Sequence, residues 1–188
     1  MLLETPVSRR TSEAEAAQLA REWYGIEAWA KSLPGEHDEN FHLTSRDGRE
    51  FVLKVMHPAR ELSFIDLQCA ALQHLSKYAP QLPLPRVLSS LDGEAFKAIA
   101  MPDGTRRVVW MLGFIRGSTL AKVMPHTPEL LADLGRFLGT LDAALQDFTH
   151  PAATRDLKWD LSRAGWIRGH LSSIPEAASS LMLSALAA

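Results

Sequence analysis

Lys54 is the residue whose placement most invites chemistry. It lies in Arg49 to Met56, a strand-like run in which Phe51, Leu53 and Val55 share one face while Val52, Lys54 and Met56 share the other. An ammonium in a largely apolar strand, followed by a helix, suits the α- and β-phosphates of a nucleotide. Taken alone, the residue reads rather as a strand lysine whose stem covers apolar surface while its head reaches water.

Other reactive patterns are not in the sequence. The seven histidines show no paired ligand spacing of the H-E-x-x-H kind, and no G-x-S-x-G elbow marks a hydrolase nucleophile. The single cysteine, Cys69, rules out an intramolecular disulfide and argues against a cysteine-built zinc site. Its neighbours Leu67, Ala70, Ala71 and Leu72 make it a buried structural thiol rather than a nucleophile. With 20 basic and 22 acidic residues the net charge is -2, so nothing in it suggests a nucleic-acid surface or a membrane-adhering patch. The N-terminal MLLETPVSRR has no signal-like apolar core, and the longest apolar stretch, Val108 to Ile115, is too short to span a bilayer. A cytoplasmic protein is the default expectation.

The elements that must position Lys54 follow from periodicity and turn chemistry. Ser12 to Tyr24 predicts a helix capped by Thr11 or Ser12 and ended by Gly25. Ser32-Leu33-Pro34-Gly35 marks a turn. Asn40 to Ser45 and Arg49 to Met56 are joined through Asp47-Gly48 as a hairpin. Glu61 to Tyr78 predicts a second helix, broken by Pro80, Pro83 and Pro85 before an extended Arg86 to Ser90. A second hairpin runs from Glu94 to Ala100, through Pro102-Asp103-Gly104, to Arg106 to Leu112. Gly113 to Gly117 is a connector, and Pro128 to Phe148 a long amphipathic helix beginning after Thr127. Beyond His150 the pattern weakens to a possible short helix with Trp159 and Trp166, then a small-residue tail from Ser172 with no evident packing partner.

In that order the pieces resemble the aminoglycoside phosphotransferase and choline kinase superfamily. The resemblance rests on Phe51-Val52-Leu53-Lys54-Val55, Asp66-Leu67-Gln68, Ala71-Leu72-Gln73-His74-Leu75, Pro83-Leu84-Pro85-Arg86-Val87-Leu88 and Leu112 to Leu120. Leu134 to Asp142, His150-Pro151-Ala152 and Trp159-Asp160-Leu161 are similar to its hydroxylysine-kinase-like branch, which also occurs fused to class III aminotransferases. The match runs over most of Glu22 to Ile167.

The resemblance implies an α+β fold: a protein-kinase-like N-lobe with a five-stranded antiparallel sheet and one packed helix, then the first helices of an incomplete helical C-lobe. Residues 1–118 would form the N-lobe with its N-terminal helix and hinge, and residues 119–188 the start of the C-lobe. It makes Lys54 the nucleotide-phosphate lysine, with Gln68 or Asp66 as candidate partner. These two lie about 200° apart on a helix, so they cannot both face Lys54. Plain helix surface is as good a reading for either. Gly35, in the loop Pro34 to Asn40, would lie over the phosphates. That loop carries three acidic residues (Glu36, Asp38, Glu39), so it reads equally as a solvated turn, and phosphate contact there would need main-chain donors with the carboxylates turned away. Gly113 and Phe114 would meet the base.

The implied cofactor is ATP or GTP with Mg²⁺, and the implied partner a small amino alcohol of the hydroxylysine kind. The superfamily's His-x-Asp-x-x-x-x-Asn and later metal-binding aspartate have no counterpart here, and Asp156 and Asp160 read as helix decoration. No catalytic residue and no metal ligand are therefore assigned. The alternatives are an inactive nucleotide-binding or interaction module and a truncated gene product. A wide apolar face on the long helix (Leu131, Leu134, Leu138, Leu141) predicts self-association.

Overall fold

In the computed structural model, residues 9–102, 104–154 and 160–185 are described. The arm before Arg9, Asp103 of the second turn, Asp156, Trp159 and the last three residues lie outside them. The chain forms two compact units, one ending at His150 and one beginning at Pro151.

Helix α1 (Glu13–Tyr24) opens with a complete capping box. The Glu15 N–H donates to Ser12 Oγ at 3.2 Å, and Ser12 N–H donates to the Glu15 carboxylate at 2.8 Å. Gly25 closes the helix at φ 65°, where its N–H and that of Ile26 satisfy the Arg21 and Ala20 carbonyls. Ala16, Ala20 and Tyr24, four residues apart, form the buried stripe.

The sheet contains β1 (Ala28–Leu33), β2 (Glu39–Ser45), β3 (Glu50–Val55), β4 (Val87–Leu88), β5 (Phe96–Ala100) and β6 (Arg106–Gly113), with α2 (Leu62–Tyr78) between β3 and β4. Every pairing is antiparallel, in the order β1-β2-β3-β6-β4, with β5 also on β6. β3 occupies one side of β6 along Val109–Gly113, so β5 (on Arg106–Trp110) and β4 (on Met111 and Leu112) share the other. The sheet is antiparallel as expected but has six strands rather than five, because β4 and β5 share one side of β6. The first hairpin turns at Gly48, whose φ of 80° suits glycine, and the Ser45 hydroxyl donates to Asp47 at 2.5 Å. Hydrogen bonds from Ser45 and Arg49 pull the Asp47 carboxyl down to about 2.

Each face of the sheet carries one helix. Phe51, Leu53 and Val55 of β3 join Phe41, Leu43, Val109 and Met111 in a core closed by α1. On the opposite face Met56, Val108 and Trp110 pack with Ile65 and Cys69 of α2. Burial pushes the Cys69 thiol up to about 12, the environment of an inert structural cysteine.

After a 3-10 turn (Leu120–Lys122), α3 (Pro128–Leu145) starts from Thr127, whose side chain accepts the Leu130 N–H, with Pro128 in its first turn. Leu130, Leu134, Phe137 and Leu141 are half-buried, whereas Leu131 and Leu138 are exposed. His74 of α2 lies 2.9 Å from the Ala144 carbonyl, and the Phe148 ring lies tilted against His74 and parallel to His150. In the second unit a run of 3-10 turns (Leu161–Ser173) contains Trp166, edge-on to His170, and leads to α4 (Glu176–Ala185). The tail expected to lack a packing partner forms α4 in its first part, with the Ser179 hydroxyl donating back to Leu171 at 2.8 Å.

Candidate functional site

Register decides which residues meet Lys54. The hairpin through Asp47-Gly48 pairs Asn40 of β2 with Lys54 of β3, and Lys54 in turn pairs with Trp110 of β6. On this α2 face of the sheet the Lys54 ammonium donates to Asn40 Oδ1 at 2.7 Å and lies 5.9 Å from the centre of the Trp110 ring. Burial lowers the Lys54 pKa; the nearby Asp38 carboxylate opposes that shift and the Arg60 guanidinium adds to it. Lys54 is therefore a half-buried cation whose direct partner is a neutral amide.

The loop before β2 is folded back on itself. A side chain at Gly35 would meet the Asp38 carbonyl at 2.1 Å and the Asn40 amide at 2.7 Å, so the close approach requires glycine. Its acidic residues divide by role. Asp38 accepts the His57 N–H at 2.8 Å and is gripped by Arg60 through Nε at 3.2 Å and Nη2 at 3.0 Å. Glu39 accepts from Arg107 Nη1 at 2.8 Å and from the Thr11 N–H at 3.1 Å. Glu36 stays largely in solvent. The carboxylates that made the loop look hostile to phosphate are thus tied to two arginines, one of them, Arg107, fully buried.

The other candidates sit as follows. Gln68 donates its amide to the Phe64 carbonyl within α2, at 3.3 Å. Asp66 lies 3.1 Å from His150 Nε2, joining α2 to the segment after α3. Asn40 meets Lys54 directly, with Asp38 and Arg60 near enough to act on its charge, and none of the three is among the partners expected from the sequence. Gly113 N–H donates to the Arg86 carbonyl at 2.9 Å and Phe114 N–H to the Glu50 carbonyl at 3.0 Å, so both donors at this bend are engaged inside the sheet. The Phe114 ring centre is 4.3 Å from that of His42, whose Nε2 lies 3.1 Å from the Glu50 carboxylate. Arg116 pairs with the same carboxylate and is the main cause of its lowered pKa. Among the described residues no group of three or more His, Cys, Asp or Glu is placed to hold a metal ion. Among them, too, no helix is long and apolar enough to cross a membrane.

A hairpin lysine facing a packed helix, then a second hairpin, a bend and a long helix, is a kinase-like arrangement. Residues 29–179 match the phosphotransferase enzyme family, and the chain belongs to that family. Among curated proteins it is similar to hydroxylysine kinases. That of Danio rerio is 30% identical over 146 residues, covering 74% of this chain and 40% of the relative. That of Xenopus laevis is 26% identical over 181 residues, covering 88% and 48%. The chain therefore spans under half the length of these relatives. Two solved structures share the fold. An amicoumacin kinase in complex with AMP-PNP, Ca²⁺ and Ami superposes with a TM-score of 0.64 at 16% identity, covering 93% of this chain and 52% of that one. A microcompartment-associated aminopropanol kinase gives 0.57 at 20% identity, covering 78% and 45%.

Proposed function

We propose that this chain supplies the nucleotide-holding part of a small-molecule kinase. The carrying observation is Lys54: a half-buried ammonium on the α2 face of the sheet, bonded to a neutral amide and able to exchange it for a phosphate oxygen. The residues fit a nucleoside triphosphate, with Lys54 at the phosphates, the Gly35 loop above them, and Gly113 and Phe114 at the base. With both N–H groups engaged, pairing to a base at this bend falls to carbonyls or to donors further along. ATP or GTP, with Mg²⁺, supplies the γ-phosphoryl group, and the acceptor class is a hydroxyl on a small amino compound, hydroxylysine-like by kinship with the hydroxylysine kinases.

In this reading residues 1–118 act as the N-lobe with its hinge and residues 119–188 begin a helical C-lobe, in a cytoplasmic enzyme. Gln68 and Asp66 serve α2 and its junction with His150 rather than Lys54 directly. No His-x-Asp-x-x-x-x-Asn occurs in the 188 residues, so this chain by itself binds nucleotide without transferring phosphate.

Nucleotide-induced stabilisation tests the reading. AMP-PNP with Mg²⁺ should raise the unfolding temperature of the parent, and Lys54→Ala should weaken binding by about 1.5–3 kcal/mol, the worth of a charge-assisted contact. Equal stabilisation of parent and variant would reduce Lys54 to a strand residue. Phosphorylation of hydroxylysine by the purified chain above a no-enzyme control would overturn the binding-only assignment.

A further inference from the structure

Three charges share the region around Lys54: Lys54 itself, Arg60 and Asp38. Arg60 closes its fork on Asp38, with Nε 3.2 Å from each carboxylate oxygen and Nη2 3.0 Å from Oδ2. The His57 N–H adds a third donor group at 2.8 Å. An arginine fork and a main-chain N–H converging on one carboxylate is the donor set that also holds phosphate. The pair is mostly screened from water, with 22% of the Arg60 side chain and 14% of the Asp38 side chain exposed. Counting Lys54, the group carries two cations against one anion, and the Lys54 ammonium donates to the neutral Asn40 amide oxygen.

Asp38, like Arg60, lies outside the regular strands and helices. It sits in the irregular stretch between β1 and β2, beside the tight approach at Gly35. The Asn40 that accepts from Lys54 donates in turn toward the Asp38 carbonyl at 3.3 Å, so Lys54, Asn40, Asp38 and Arg60 form one connected chain of contacts. Arg60 lies at the end of the β3–α2 connection, with its guanidinium 5.5 Å from the Phe64 ring centre. Among the described residues the guanidinium's hydrogen bonds all go to Asp38, so an anion taking the place of Asp38 would meet the whole fork.

We infer that Asp38 is an internal stand-in for phosphate, and that an incoming polyphosphate takes the Arg60 fork from it, making Arg60 a second phosphate-contacting cation beside Lys54. The inference rests on the nucleotide reading above and deepens it. Asp38 then acts as a competing anion that keeps the cluster neutralised until a ligand of higher charge displaces it. A purely structural Asp38–Arg60 clasp makes the opposite prediction, because loss of either partner would loosen the loop alike.

Calorimetry on the full chain with AMP-PNP and Mg²⁺, with tripolyphosphate, and with adenosine separates the two. Asp38→Asn should tighten AMP-PNP and tripolyphosphate several-fold. Arg60→Gln should weaken both about tenfold or more and flatten their salt dependence, leaving adenosine unchanged. If both variants weaken AMP-PNP alike, or Arg60→Gln matches the parent while Lys54→Ala loses binding, the inference fails and the nucleotide reading stands. If the parent binds none of the three ligands, the nucleotide reading itself fails and takes the inference with it. Should Arg60→Gln not fold, the sign of the Asp38→Asn effect decides alone: tightening supports the exchange and weakening overturns it.

Discussion

Arg107→Met tests whether the buried arginine is what fixes the loop and β2 in place. Its side chain is 1% exposed and joins three parts of the chain. Nε donates to the Met56 carbonyl at 2.8 Å, Nη2 to the Val55 carbonyl at 3.1 Å, and Nη1 to Glu39 at 2.8 Å, with the Thr11 hydroxyl at 3.4 Å. Methionine keeps most of the apolar stem but removes every donor. The Glu39 carboxylate, 13% exposed, is then left with the Thr11 N–H, and two carbonyls at the end of β3 lose a donor. Stranding one partner of a buried pair costs about 3–5 kcal/mol. Each carbonyl left unsatisfied accounts for roughly 1 kcal/mol or more of such a loss. Against a whole-domain stability of about 5–15 kcal/mol, that is enough to unfold a visible fraction of the protein.

Urea unfolding followed by tryptophan fluorescence measures this directly. Arg107→Met should lose about 3–5 kcal/mol. Glu39→Gln combined with Arg107→Met should lose less than the sum of the two single changes, by about 1–3 kcal/mol, because the double variant leaves no unpaired charge. Arg49→Ala, which removes an exposed pair with Asp47, should cost no more than about 1 kcal/mol. An Arg107→Met protein within about 1 kcal/mol of the parent, or strict additivity in the double variant, would refute the reasoning.

Cys69 should resist alkylation at neutral pH until the domain unfolds, because it is buried and its thiol is pushed up from 9.0 to about 12. Its folded value lies above the unfolded one, so the stability it contributes is fully present below about 9 and is lost as pH rises toward 12; labelling as fast as a free thiol at neutral pH would contradict this. On α3, Leu131 and Leu138 are 49% and 47% exposed and lie on one side of the helix, seven residues apart. The chain should sediment as a concentration-dependent oligomer, and Leu131→Glu with Leu138→Glu should shift it to monomer. A parent that is monomeric at high concentration would show that this face needs no partner.

Much of the fold was legible because its signals were local. Ser12 is one of two cap candidates in the sequence, Gly25 marks a helix stop and Asp47-Gly48 a hairpin; the structure puts the cap at Ser12 and the stop and hairpin where the residues indicate. The sequence does not mark β1 as a strand, and its composition explains why. Ala28-Trp29-Ala30-Lys31-Ser32-Leu33 has little β-propensity, and as an edge strand it buries too little for a clear alternation. Its place is set by pairing with β2 and by α1, where Glu13 accepts the Ser32 N–H at 2.8 Å. The spacing predicts the long helix to Phe148, whereas it ends at Leu145: Phe148 falls at the next apolar position of the pattern, three residues past the last helical one.

The site was legible only in part, and the division follows the same physics. Asn40 was within reach of the sequence: a hairpin closed at Ser45 and Arg49 puts residues summing to 94 opposite each other, and 40 and 54 are such a pair. Register alone therefore assigns Lys54 its neighbour. The Asp38–Arg60 and Glu39–Arg107 pairs span 22 and 68 residues and depend on how the irregular loop folds, which no periodicity encodes. Without them the loop reads as three carboxylates beside a proposed phosphate lysine, an unfavourable field. With them, two of those three charges are paired with arginines. The loop's sequence looked wrong for phosphate because its counter-charges lie elsewhere in the chain, and their positions turn an apparent objection into the part of the cluster most open to test.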